Sequence, residues 1–220
     1  MKKIVFVLLI LLFVTLLFSC NNVSTDQNEQ IASSDQSEPE ETMLESKFAD
    51  YLATVVPAKT VSEATYYMEK AITVNGVTTS VITAVKNGKL LTISDTAGVK
   101  TVSIVARDTL TSVDVVNKTY TVASIDSATY EELTKNVECM KKYASIEFTP
   151  SAYTVVDKDQ YAEIAVFDEV PHIYIFNDEF VPKYIVYAQA DGALVTEEFI
   201  TFKAEFDDNI FVLPSDYTQL

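Results

Sequence analysis

From residue 42 onward the apolar positions switch between two periods. Leu44, Phe48, Tyr51, Leu52 and Val55 recur at the spacing of one helix face, and Pro57 forbids continuation. Residues 42–55 therefore predict an amphipathic helix, with Glu45, Lys47 and Asp50 on its polar side. The period then becomes two. Asn75-Gly76 and Asn87-Gly88 are strong hairpin dipeptides, because a type I′ turn needs positive φ at both centres. They separate three antiparallel strands at 66–74, 77–86 and 89–94. Ala97-Gly98 leads into a strand at 99–106, and 110–116 pairs with 119–125 about Asn117-Lys118. The outer faces of this six-strand meander are expected to be rich in Thr and Ser, including Thr73, Thr79, Ser80 and Thr83.

A second helix interrupts the strands. Thr129 with Glu132 reads as a capping box, and Lys141 and Lys142 sit at the opposite end, where cations favour the helix dipole. Its apolar stripe is Tyr130, Leu133, Val137, Met140 and Ala144. Strands then resume at 146–149, 153–156, 161–167, 171–176, 180–190, 193–206 and 210–213, with turns at Asn177-Asp178 and Asp191-Gly192. Pro171 and Pro182 point to an edge or an irregularity. In the long strand at 193–206, Ile200, Phe202, Ala204 and Phe206 alternate with Phe199, Thr201, Lys203 and Glu205, which predicts one buried face. Tyr184, Ile185, Val186 and Tyr187 are apolar on both faces, so the second face needs a cover or serves as a contact surface.

The start of the chain has a different character. Lys2 and Lys3 precede a fifteen-residue run, Ile4 to Phe18, apolar except for Thr15 and followed by Ser19 and Cys20. That run is shorter than the ~20 residues a spanning helix needs, so it reads as a signal peptide rather than an anchor. Leu17-Phe18-Ser19-Cys20 resembles the lipobox of bacterial lipoproteins, which implies removal of residues 1–19 and a diacylglycerol thioether on Cys20. Residues 20–41 hold almost nothing to bury and predict a disordered acidic tether, leaving 42–220 as one globular domain.

Charge narrows the partners. The chain carries 16 basic and 32 acidic side chains, a formal balance of −16. The excess lies in residues 21–46, with seven acidic groups and no basic one, and in residues 157–220, with fourteen acidic against three basic. Such a surface is repelled by nucleic acid and by anionic headgroups, so membrane association is assigned to the lipid. The expected location is the extracytoplasmic side of the bacterial membrane. With Cys20 lipidated, Cys139 has no intrachain partner and is expected as a small helix side chain.

Helix, six strands, helix and six or seven strands closing on Leu213-Pro214-Ser215-Asp216-Tyr217 resembles the LolA/LppX-like lipoprotein family. The resemblance covers residues 42–220. It implies an α+β fold in which a curved antiparallel half-barrel of about eleven strands carries two or more helices over its concave face and an apolar cavity. On that reading Phe48, Leu52, Leu133, Val137, Met140, Ile200, Phe202 and Phe206 are the candidate cavity lining. A membrane-anchored carrier or chaperone of an acyl lipid is the implied role. The alternative is a packed scaffold or interaction lipoprotein whose protein partner is unknown.

Catalytic chemistry has little in its favour. His172, the single histidine, sits in the apolar run 170–176 and reads as a structural imidazole. There is no HExxH, phosphate loop, CxxC or nucleophile motif in the chain. Acidic pairs such as Asp168-Glu169 and Glu197-Glu198 point to opposite faces of a strand. Asp157, Asp159 and Glu163 share a parity that a hard cation could use, but an EF-hand needs Gly where Ala162 stands, so a solvated loop is expected. No metal, cofactor or enzymatic activity is expected.

Overall fold

A computed structural model describes residues 46–55, 62–143, 148–155, 158–167 and 169–220, with backbone alone for 136–143, 153–155 and 158. Residues 1–41, where a signal peptide, a lipidated Cys20 and a tether are expected, together with Leu44, Ala144, Asp157 and the side chains of Val137, Cys139 and Met140, lie outside the described residues. The unit 46–220 is described by itself.

Its first half is a meander of six antiparallel strands: β1 (Tyr66–Val74), β2 (Val77–Lys86), β3 (Lys89–Thr96), β4 (Val99–Ala106), β5 (Thr109–Asp114) and β6 (Thr119–Ser124). The dipeptide turns form as expected: Asn75, Gly76, Asn87 and Gly88 all have φ between 50° and 78°. The second half contains β7 (Thr149–Val155), β8 (Lys158–Phe167), β9 (Val170–Phe176), β10 (Pro182–Ala188) and β11 (Leu194–Lys203). β1 pairs with β11, so the two meanders merge into one curved, unclosed sheet. A two-residue β12 (Thr218–Gln219) adds in parallel to β6, giving twelve strands in the order 12-6-5-4-3-2-1-11-10-9-8-7. The fold is the α+β half-barrel expected from the element order.

Two helices pack on one face of this sheet, α1 (Lys47–Val55) and α2 (Ser127–Tyr143). Phe48, Leu52 and Val55 of α1 and Leu133 of α2 join Tyr66, Met68, Val85, Leu90, Val105, Tyr174, Phe176, Ile185 and Phe199 in one core. α2 starts one turn earlier than the expected capping box. Asp126 Oδ1 accepts the Thr129 amide at 2.8 Å and is the cap, while Glu132 pairs with Lys135 on the helix surface.

Four further expectations change. Where strands at 146–149 and 153–156 are expected, the described residues form one strand, β7 (Thr149–Val155), which runs through Pro150; as the edge of the sheet it tolerates a missing N–H. No strand forms at 210–213. Asp207 caps a 3-10 turn at Asp208–Phe211 by accepting the Asn209 amide at 2.9 Å, and this local bond competes with extension. Thr79 and Thr83 lie on the helix-bearing face, because Thr83 pairs with Met68 and Thr79 with Ile72. Only Thr73 and Ser80 of that quartet lie on the opposite face.

The fourth change concerns β11. Glu69 pairs with Thr201 and Lys70 with Phe199, which leaves Ile200 as the extra residue of a β-bulge. The alternation is thereby broken. Val195, Glu197 and Phe199 point to the helices before the bulge, and Phe202 does so after it. Ile200 stands 51% exposed. A strict period of two cannot anticipate that insertion.

Candidate functional site

The helix-bearing face is built in rows, each set by strand register. The first row is apolar: Tyr66, Val85, Leu90, Val105 and Leu110 lie side by side across β1–β5. It spans four strand spacings, about 19 Å. The second row begins at Met68 and continues as hydroxyls, Thr83, Thr92, Ser103, Ser112 and Thr121. The third carries Lys70, Val81, Ser94 and Thr101, with Ser94 and Thr101 hydrogen-bonded at 2.6 Å. An apolar stripe the length of a long acyl chain therefore borders a polar one.

Each helix is tied to the sheet by a polar contact. The buried Glu163 of β8 receives the N-terminus of α1: Ser46 Oγ donates to it at 2.7 Å, the Lys47 amide at 2.6 Å and the Phe48 amide at 3.2 Å. Ser46 in turn accepts the Ala49 amide at 3.1 Å as the helix cap. Tyr161 donates its hydroxyl to Glu163 at 3.0 Å. Burial, together with the bond to that carboxylate and its charge, pushes the Tyr161 phenol up to about 12. Glu163 is thus an inward cap rather than part of a solvated loop. Its distant partner in sequence, 117 residues away, hid that role. On the other helix, Tyr130 donates to the Gly88 carbonyl at 2.8 Å, so the tight turn between β2 and β3 seats α2.

The candidate lining residues divide accordingly. Phe48, Leu52 and Leu133 are buried in the same core, and Phe202 packs against it with Tyr51 and Tyr66 at ring separations of 5.7 and 5.8 Å. Ile200 is not with them, for the bulge turns it out. Phe206 lies on the opposite face of the sheet against Tyr67, at 6.1 Å. The inner rings are closely packed, as Phe48 and Tyr174 show at 4.4 Å.

Charge is also present inside. Lys70 Nζ lies 2.6 Å from Glu197 Oε2, both side chains almost wholly buried, and Tyr187 donates to Glu197 Oε1 at 3.1 Å. Burial, helped by the Glu197 charge, holds the Tyr187 phenol well above its ordinary range. His172 stacks on Tyr187 at 4.4 Å, meets Phe167 edge-on and shares a 3.0 Å hydrogen bond with the Val170 carbonyl. The imidazole is therefore embedded in aromatic and backbone contacts. Sequence reading missed this cluster, although Lys70 shares the parity of buried Tyr66 and Met68, which was the available signal. Among the described residues no three His, Cys, Asp or Glu side chains converge as metal ligands.

The two-faced apolarity of β10 is real. Val186 on its far side forms a separate cluster with Ala162 and Ile175, flanked by Ile173 and Tyr184.

No protein-family model matches the chain, and no curated protein matches it. Among solved structures it is similar to an uncharacterized conserved protein from Thermus thermophilus, with a TM-score of 0.42 and 5% identity over 79% of this chain and 94% of that one. A LolA superfamily protein from Nitrosomonas europaea matches with a TM-score of 0.32 and 9% identity, over 76% of this chain and 96% of that one. PNGF-II matches with a TM-score of 0.29 and 11% identity over 71% of this chain, which spans 31% of PNGF-II.

Proposed function

We propose that the chain is an envelope lipoprotein, anchored through Cys20 on the extracytoplasmic side of the membrane, that holds an acyl lipid or similar apolar ligand without acting on it chemically. The observation that carries this reading is the apolar row from Tyr66 to Leu110 beside the hydroxyl row from Thr83 to Thr121, on the face the helices cover. On this reading an acyl chain takes the place of helix side chains along the first row, whose Tyr66, Val85, Leu90 and Val105 are otherwise buried by the protein itself, and its polar end meets the second row. Shielding a sixteen-carbon chain is worth on the order of 12 kcal/mol gross at about 0.8 per methylene, before ordering costs. Apolar walls suffice for that, so no catalytic group is needed. The Glu163 carboxylate holds α1 over the second meander, where Phe48 meets Tyr174 and Tyr51 meets Phe202, and the Tyr130 hydroxyl holds α2 at the β2–β3 turn beside the row.

A second reading, a packed scaffold with no ligand, is favoured by the close ring contacts of Phe48 with Tyr174 and of Phe202 with Tyr66. Native mass spectrometry of the full chain purified from membranes separates the two. The carrier reading expects a bound mass in the acyl-lipid range that is lost on delipidation and regained on adding lipid. A chain that never carries such a mass is the scaffold.

A further inference from the structure

The chain after β11 does not simply end the sheet. It crosses it. Phe206 packs on Tyr67, whose side chain points away from the helices, and residues 218–219 pair with β6, the last strand of the first meander. Between those points residues 204–217 cover six strand spacings, roughly 29 Å, within the reach of an extended chain of that length. This strap passes over a face that is itself apolar: Tyr67, Ala84, Leu91 and Ile104 form one row, and Ile82, Ile93, Val102, Val113 and Tyr120 the next.

The cover is thin. Ala84 and Leu91 beneath it are buried to 0% and 1% exposure, yet no residue of 204–220 is itself fully buried. The polar attachments of the strap lie at the surface: Asp208 to Lys86, and Asp216 to Lys118 at 2.6 Å with both side chains more than half exposed. Exposed pairs of this kind contribute little. The strand pairing itself rests on the Thr218 amide to the Lys118 carbonyl at 2.9 Å and the Leu220 amide to the Tyr120 carbonyl at 2.9 Å. Beyond Tyr120 the edge strand β6 continues through Thr121, Val122, Ala123 and Ser124, all exposed.

We infer that the strap is a displaceable cover over a peptide-docking surface, and that the partner is an extended acidic segment with aromatic anchors that adds to β6 in parallel. The strap itself shows what the surface recognises. Its Phe206 meets Tyr67 and is backed by Phe211, its carboxylates meet Lys86 and Lys118, and its last residues use the β6 edge. Because the strap occupies the surface from within the same chain, an external segment binds only in the fraction of molecules whose strap has lifted. The surface lies on the face away from the helices, so it is independent of the ligand reading above.

The probe is a labelled peptide of residues 204–220, with a scrambled peptide as control. Fluorescence anisotropy on the full chain is expected to show weak binding to wild type and binding about tenfold or more tighter to Phe206→Ala/Phe211→Ala, whose strap is loosened. Adding Lys118→Ala to that variant should weaken the probe again. Equal binding by wild type and the loosened variant, with the sheet intact by circular dichroism, overturns the proposal, as does equal binding of the scrambled peptide. Hydrogen exchange on wild type tests it without any variant: the Val212, Thr218 and Leu220 amides should exchange about a hundredfold or more faster than β2 and β3 amides. Equal protection overturns it.

Discussion

Lys70 and Glu197 meet at 2.6 Å across the seam where β1 joins β11, each with a side chain less than 5% exposed. That seam is where the two meanders become one sheet, and the bulge at Ile200 lies beside it. A buried ion pair gains its Coulomb attraction only after both ions lose water, so its net contribution is small while the loss of one partner is expensive. The pair acts less as a source of stability than as a demand for one register.

Breaking the pair one side at a time tests this. Lys70→Met leaves Glu197 and its Tyr187 contact without a cation and should cost about 3 to 5 kcal/mol in urea unfolding of the full chain. Lys70→Met/Glu197→Leu should recover most of that loss. A double variant as unstable as the sum of the singles contradicts the account.

The N-terminus of α1 offers a second test. Ser46→Ala removes a cap and should cost about 1 kcal/mol. Glu163→Ala should cost more, about 2 to 4 kcal/mol, because it leaves the buried Phe48 amide and the neighbouring Lys47 amide without their acceptor. Amide exchange of 47–55 should accelerate in both variants, with the β1 amides unaffected in Ser46→Ala. Unchanged exchange of the α1 amides in Glu163→Ala would show that the carboxylate does not hold the helix.

The strap carries a pH dependence with a definite sign. Hydrogen bonds from Asn209 hold the Asp207 carboxyl below its ordinary range, and the bond to Lys118 does the same for Asp216. A carboxylate with a lowered folded value stabilises the attached form above the unfolded value of about 3.9 and loses that contribution as pH falls through its folded value. Strap amides should therefore lose protection relative to β2 amides as the solution is taken below about pH 4. Asp216→Asn should flatten part of that change. A strap-to-sheet protection ratio constant from pH 6 to the acid limit of the fold contradicts it.

Much of the architecture is legible because glycine and asparagine mark the turns: β1 ends, β2 begins and ends, and β4 begins where the dipeptides at 75–76, 87–88 and 97–98 place them. What escaped has a common cause. The bulge at Ile200, the cap at Asp126 and the crossing of the strap depend on partners chosen in three dimensions, and period alone carries no register. The same holds for the site. Phe48, Leu52 and Leu133 follow from helical spacing, whereas Ile200 is turned out by a single inserted residue and Phe206 leaves the face of Phe202 because β11 ends at Lys203. Glu163 and Glu197 looked like surface carboxylates until pairing showed their partners more than a hundred residues away.

The proposed anchoring rests on the resemblance of Leu17-Phe18-Ser19-Cys20 to a lipobox and is tested by chemistry at one atom. Metabolic labelling with a palmitate analogue should mark the wild-type chain, and Cys20→Ala should abolish the label and leave the protein uncleaved or released from the membrane fraction. Label retained by Cys20→Ala at the wild-type level rules out the thioether at that position.

Ligand binding is the central claim, and equilibrium titration with a fluorescent fatty acid reaches it most directly. The full wild-type chain should bind the probe saturably at one molecule per chain, release it to unlabelled fatty acid, and leave strap and sheet protection unchanged. No saturable binding at any probe concentration, in protein already shown to carry no lipid, would contradict the carrier account and leave a filled scaffold.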